Sequence, residues 1–125
     1  MKKILIVEDE LFIAQCLKMD LQQAGYEVCG VVATGEDAVK NSFLNKPDVV
    51  LMDVRLAGNL DGIETARMIL AARKTALIFM TGYVDDEISE LVRDLQPLGI
   101  FPKPVNAYDL QQLLDPTAES PEKKS

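Results

Sequence analysis

Histidine is absent from the 125 residues, and cysteine occurs twice, at Cys16 and Cys29. Those two shortages remove thiolate–imidazole zinc sites, histidine-dependent catalytic triads and any phosphohistidine carried by this chain. Basic residues are also scarce. Thirteen Lys and Arg against 20 Asp and Glu leave a formal charge of −7, the wrong sign for a nucleic-acid or anionic-membrane surface. No apolar run approaches the ~20 residues that span a bilayer. The N-terminal Ile4–Val7 run follows Met1-Lys2-Lys3 but is cut by Glu8-Asp9-Glu10, too early for a signal peptide. A soluble cytoplasmic protein is expected, with neither direct nucleic-acid nor membrane contact. Any chemistry must come from carboxylates, hydroxyls, lysine or backbone.

Apolar material is plentiful. Hydrophobic residues make up 48% of the chain, and its length suits one domain. Short apolar runs at Ile4–Val7, Val28–Ala33, Val49–Met52, Leu77–Met80 and Gly99–Phe101 suit strands buried on both faces. Amphipathic stretches lie between them. Leu11, Ala14, Leu17, Leu21 and Ala24 step by three or four ahead of Gly25, and Ile88, Leu91, Val92 and Leu95 share a face between Asp86 and Gln96. Thr34-Gly35-Glu36-Asp37, Asp61-Gly62-Ile63-Glu64 and Asn106-Ala107-Tyr108-Asp109 have capping-box form. The order is βαβαβαβαβα: an α/β, three-layer doubly wound sandwich on a five-stranded parallel sheet, spanning residues 1–114. Residues 115–125 are polar, contain two prolines and read as a disordered tail.

In such sheets ligands bind beyond the carboxyl ends of the strands. Glu8 and Asp9 follow the first strand, Asp53 the third, Thr81 the fourth and Lys103 the fifth. Each has a plainer reading: Asp9 as a helix cap, Glu8 as a first-turn acid, Asp53 as a loop acid, Thr81 as a turn residue, Lys103 as surface. Five polar residues at the ends of four strands favour a site. If the first and third strands are neighbours, three carboxylates converge. Like charges ~4 Å apart repel by roughly 4 kcal/mol at an effective dielectric near 20. Hard oxygens without His or Cys favour Mg²⁺ as the neutralising cation, with room left for a phosphate.

These residues and their order resemble the receiver domains of two-component response regulators, the CheY-like family. The matching stretches are Ile4-Leu5-Ile6-Val7-Glu8-Asp9-Glu10, Val49-Val50-Leu51-Met52-Asp53-Val54-Arg55-Leu56, Asp61-Gly62-Ile63-Glu64, Met80-Thr81-Gly82 and Phe101-Pro102-Lys103-Pro104. The resemblance implies strand order 2-1-3-4-5 and Asp53 as acceptor of a phosphoryl group from a sensor histidine kinase or phosphotransfer protein. It implies Mg²⁺ held by Asp9, Asp53 and the Arg55 carbonyl, with Glu8 acting through water. Thr81 and Lys103 would hold phosphoryl oxygens, and the Lys103–Pro104 bond would be cis. Phe79-Met80-Thr81-Gly82-Tyr83 further resembles stand-alone receivers with a Phe-Ala-Thr-Gly-type motif, some tied to bacterial stress signalling.

The chain departs from the family pattern in places. Ile100 stands where the aromatic switch residue usually lies, and strand alternation turns Phe101 to the opposite face. Tyr83 is the candidate substitute. The resemblance assigns Arg55 and Tyr83 to positions that tune dephosphorylation, and a bulky Tyr83 with no water-orienting group at Arg55 then implies slow loss of phosphate.

On the first helix, Phe12, Cys16 and Met19, flanked by Ile13, form a second apolar stripe suited to docking the kinase's helical bundle. Signalling by protein contact is expected, with phosphorylation-dependent homodimerisation open. The alternative is a receiver cut from a larger regulator or hybrid kinase. Two other classes fit poorly. An aspartate-nucleophile phosphatase would want an acid at Arg55, and a flavodoxin-like cofactor loop would not begin Glu8-Asp9-Glu10.

Overall fold

The computed structural model describes residues 2–56 and 58–115. Beyond Asp115, the expected polar tail lies outside the described residues. Five strands, β1 (Lys3–Val7), β2 (Glu27–Val32), β3 (Val49–Asp53), β4 (Ala76–Thr81) and β5 (Gly99–Pro102), alternate with five helices. These are α1 (Leu11–Gln23), α2 (Gly35–Asn45), α3 (Gly62–Ala72), α4 (Asp86–Val92) and α5 (Ala107–Leu114). All neighbouring strands pair in parallel, in the order β2-β1-β3-β4-β5.

Strand alternation divides the core in two. Ile4, Ile6, Val49, Leu51, Ile78 and Met80 point to one face and meet Ala14, Leu17 and Leu21 of α1 and Leu110 and Leu114 of α5. Leu5, Val7, Val50, Met52, Leu77 and Phe79 point to the other, under Ala38, Ala66, Ile69, Ile88 and Val92 of α2, α3 and α4. The central strands read as unbroken apolar runs because both faces are covered. Chain direction across the sheet reverses between β1 and β3, which opens a crevice at their carboxyl ends.

Helix starts follow local chemistry. Thr34 and Asp61 accept hydrogen bonds from the Asp37 and Glu64 N–H groups, and Asp85 caps α4 through Ile88 N–H. Asn106 instead caps through Tyr108 N–H, one position earlier than a capping box requires. Gly25 takes φ 97° just past α1, a backbone region that glycine enters without strain.

Three expectations need correction. Leu11 is exposed, because α1 begins beyond the strand ends and its first residue has no sheet beneath it. Ala24 is also exposed, as the helix has already ended. The fourth helix stops at Val92 and tightens into a 3-10 turn, Arg93–Leu95. Gln96 then turns left-handed at φ 51° ahead of Pro97, which disfavours helical backbone in the residue before it. Ile88 and Val92 fill the core while Leu91 stays exposed, its carbonyl within hydrogen-bonding reach of Arg67.

Candidate functional site

Register and burial bring the strand-end residues together. Pairing of Val7 with Met52 ends β1 beside β3, so Glu8 and Asp53 emerge side by side. Carboxylate oxygens of Glu8, Asp9 and Asp53 lie within 4.8 Å of one another. Asp9 is exposed, whereas Glu8 and Asp53 are buried. Asp9 does not cap α1, whose N-cap residue Glu10 has no side-chain cap bond. Glu8 Oε2 accepts the Glu10 N–H at 3.0 Å, and Asp53 Oδ1 accepts the Arg55 N–H at 3.1 Å. Both carboxylates are therefore aimed by their own following loops.

Lys103 closes the site from β5. Its Nζ lies 2.7 Å from Asp53 Oδ2 and 2.7 Å from Glu8 Oε1. The Lys103 N–H donates to the Thr81 carbonyl at 2.8 Å, which holds the two strand ends together. The following Lys103–Pro104 peptide bond is cis. Burial pushes the Lys103 ammonium down, but hydrogen bonds and charge from Asp53 and Glu8 outweigh it, so it titrates above its ordinary value of 10.5. The pairing thus contributes fully below that value and is lost as pH rises through the raised one.

Thr81 is buried at the end of β4. Its hydroxyl donates to the Tyr83 carbonyl at 3.2 Å and lies 3.4 Å from the Tyr83 N–H. The Tyr83 side chain is 73% exposed, so backbone rather than ring ties this residue to the site. The Arg55 side chain is also exposed. Ile100 pairs with Phe79 and packs, half-buried, on the α2–α4 side, while Phe101 packs on the α1–α5 side.

Two backbone contributions were not read from the sequence. Val54 N–H donates to the Met80 carbonyl at 2.9 Å, and Gly62 N–H donates to the Val54 carbonyl at 3.0 Å. Gly62 presses so closely on Asp53 that a Cβ would stand 1.9 Å from the Asp53 carbonyl oxygen. The glycine after the Asp61 cap was the available signal, but nothing local in the sequence reveals this long-range approach.

The donor set suits a hard divalent cation. It consists of oxygens, with neither sulfur nor imidazole, and the buried Glu8 Oε1 has no aligned hydrogen-bond donor beyond its ionic contact with Lys103. Beside the site, Phe12, Ile13 and Cys16 line a groove of about 220 Å³ with Met80, Lys103 and Pro104. Phe12 is 81% exposed; Met19 is exposed as well but does not line the groove.

An acidic site with one lysine, at the switch point of a 2-1-3-4-5 parallel sheet, defines a CheY-like signalling domain on the flavodoxin fold. The family model for the response regulator receiver domain matches residues 4–115, and the chain belongs to that family of two-component signal transduction proteins. It is 34% identical over 109 residues to the transcriptional regulatory protein PdtaR of Mycobacterium tuberculosis, covering 87% of this chain and 53% of that protein. It is 33% identical over 112 residues to the alkaline phosphatase synthesis regulator PhoP of Bacillus subtilis, covering 85% and 46%. The chain therefore spans about half the length of these curated relatives. Among solved structures, the signal receiver domain of a modulated diguanylate cyclase from Desulfovibrio desulfuricans matches with TM-score 0.84 and 37% identity, over 91% of this chain and 90% of that one. A CheY-like receiver protein from Methanospirillum hungatei matches with TM-score 0.82 and 29% identity, over 91% and 90%.

Proposed function

We propose that this receiver domain accepts a phosphoryl group on Asp53 from the phosphohistidine of a sensor kinase or phosphotransfer protein, and signals by protein contact. The observation that carries this reading is the Lys103 ammonium held 2.7 Å from both Asp53 and Glu8 at the sheet's switch point. An Asp53 oxygen attacks phosphorus, the P–N bond to the donor imidazole breaks, and an aspartyl phosphate forms. Lys103 then faces a phosphoryl oxygen and offsets charge spreading over the transferring group. Thr81 then gives its hydroxyl proton to a second phosphoryl oxygen, leaving the Tyr83 carbonyl that accepts it in this structure. Asp9, Asp53 and the Arg55 carbonyl would hold Mg²⁺, with Glu8 acting through water; the ion supplies neutralisation of the carboxylate cluster and of the incoming phosphoryl charge. In this role the domain is a phosphoacceptor with no substrate turnover of its own. Among the described residues no helix is long and apolar enough to cross a membrane, and we place the reaction in the cytoplasm. A receiver within a longer regulator is the same reading in a larger frame, consistent with the half-length match to its relatives.

The test is incubation with a small-molecule phosphodonor, with and without Mg²⁺, followed by mass spectrometry. One phosphoryl group on Asp53, dependent on the ion, is the expected result. Labelling elsewhere, or labelling indifferent to Mg²⁺, overturns the assignment.

Two predictions concern the neighbours of the site. Phe12, Ile13 and Cys16, with Met19 one turn on, are assigned to kinase docking. Phe12→Asp is expected to slow transfer from the kinase by about tenfold or more, while the small-donor reaction stays within about twofold. Equal loss of both reactions removes the docking role. Tyr83 is assigned to shielding the aspartyl phosphate, which requires its exposed ring to fold across the loaded site. Tyr83→Ala is expected to shorten the phosphoprotein half-life by roughly threefold, a barrier change below about 1.4 kcal/mol. An unchanged half-life discards the shield.

A further inference from the structure

Phe43 is, among the described residues, the most exposed large apolar side chain away from the site, at 76%. It lines a groove of about 400 Å³ between α2 and α3. The helical period explains the lining. Val39, Phe43 and Lys46 recur at i, i+4 and i+7 and share a face of α2, while Met68 and Ile69 come from α3 and Arg73 from its C-cap. Ile69 is buried and Met68 is exposed. Clustered apolar exposure of this kind marks an interaction surface. The charges decide which kind. The two charged residues that line the groove, Lys46 and Arg73, are both basic, and both are C-cap residues, of α2 and α3. Arg73 gives one N–H to the Pro47 carbonyl at 2.6 Å, but neither base forms an ion pair among the described residues. A chain of net charge −7 thus keeps two uncompensated cations at one end of an apolar trough.

We infer that the α2–α3 groove binds an acidic amphipathic helix of a partner protein. A helix presents a ridge of side chains, which a groove between two helices accepts; a bilayer is flat and would also meet the acidic remainder of the surface. Apolar residues of the partner helix at i, i+4 and i+7 lie against Val39, Phe43 and Met68, and its acids face Lys46 and Arg73. Acids favour the first turn of a helix, at the positive end of its dipole. The partner helix therefore sets its N-terminal turn over the two C-caps and runs antiparallel to α2 and α3. This groove lies across the sheet from the α1 groove assigned to kinase docking, so both can be filled at once.

The test uses two synthetic helical peptides of about 14 residues, alike in Leu at i, i+4 and i+7 on an Ala–Gln background. One carries Glu in its first turn and the other Lys. Fluorescence anisotropy with the full chain titrated to about 500 µM covers the range of weak complexes. The Glu peptide is expected to bind about tenfold or more tighter than the Lys peptide. Phe43→Asp weakens the Glu peptide by about tenfold or more, with circular dichroism and melting temperature showing that the variant folds. Lys46→Glu weakens the Glu peptide and strengthens the Lys peptide, a reversal that apolar adhesion alone does not produce. Absence of saturable binding by the Glu peptide, equal binding of the two peptides, or binding that survives Phe43→Asp and is abolished by Phe12→Asp overturns the inference. So does Phe43-dependent sedimentation with phosphatidylserine–phosphatidylcholine vesicles when neither peptide binds, which assigns the groove to a lipid surface.

Discussion

Asp53→Asn abolishes Mg²⁺-dependent labelling by a small phosphodonor, lowering it by about 10³-fold or more, as removal of a nucleophile does. The fold survives the change. An asparagine Oδ1 can still accept the Arg55 N–H; its amide NH₂ takes the place of the oxygen that faced Lys103, which turns to Glu8 as its remaining ionic partner. Electrostatics then favours the variant. Three carboxylates within 4.8 Å face one lysine, and like charges at about 4 Å repel by roughly 4 kcal/mol at a dielectric near 20. Removing one negative charge relieves part of that repulsion, so the melting temperature should not fall. Thermal unfolding beside a labelling assay checks both halves. Labelling that persists in Asp53→Asn removes the phosphoacceptor assignment; lost labelling with a collapsed melting temperature would instead assign Asp53 to structure.

Gly62→Ala carries the largest expected effect on stability. The added Cβ would sit 1.9 Å from the Asp53 carbonyl oxygen and 2.9 Å from both the Asp53 carbonyl carbon and the Val54 oxygen. All three are backbone atoms, so no rotamer change relieves the overlap. The end of β3 and the start of α3 must separate, breaking the Gly62 N–H bond to Val54. About 3 kcal/mol or more of destabilisation is expected. Labelling should fall too, because the displaced backbone is the one that carries the Asp53 carboxylate. Gly82→Ala is the matched control. Nothing lies within 4 Å of its added Cβ, so its unfolding free energy should stay within about 0.5 kcal/mol. Urea denaturation of both variants decides it: equal midpoints would mean that α3 does not press on β3 in solution.

The strands and the site acids were legible because they rest on local pattern. Ile4–Val7 and Val49–Met52 are short unbroken apolar runs, and each is followed at once by the acids that the sheet edge presents. Docking of α1 was legible through Ala14, Leu17 and Leu21, yet the same periodicity wrongly took in Leu11 and Ala24. A stripe records which residues share a helix face, not where the sheet beneath it ends. The end of α4 depended on competition between the Ile88–Leu95 stripe and Pro97, and Pro97 prevailed through the backbone of Gln96. Contacts across long separations left no local mark. The approach of Gly62 to Asp53 and the reach of Lys103 to Glu8 exist only after β1, β3 and β5 are set in one sheet. Lys103 was found because a polar residue at a strand end has few structural uses; Gly62 was not, because its role belongs to backbone atoms.

The Thr81 hydroxyl has a single proton to offer, and the Tyr83 carbonyl already holds it. If Asp53 carries a phosphoryl group as proposed, its oxyanion would contend with the polypeptide's own main chain for that donor. The two acceptors are mutually exclusive, and the loser is the peptide that leads into α4. Message and receipt share one hydrogen atom.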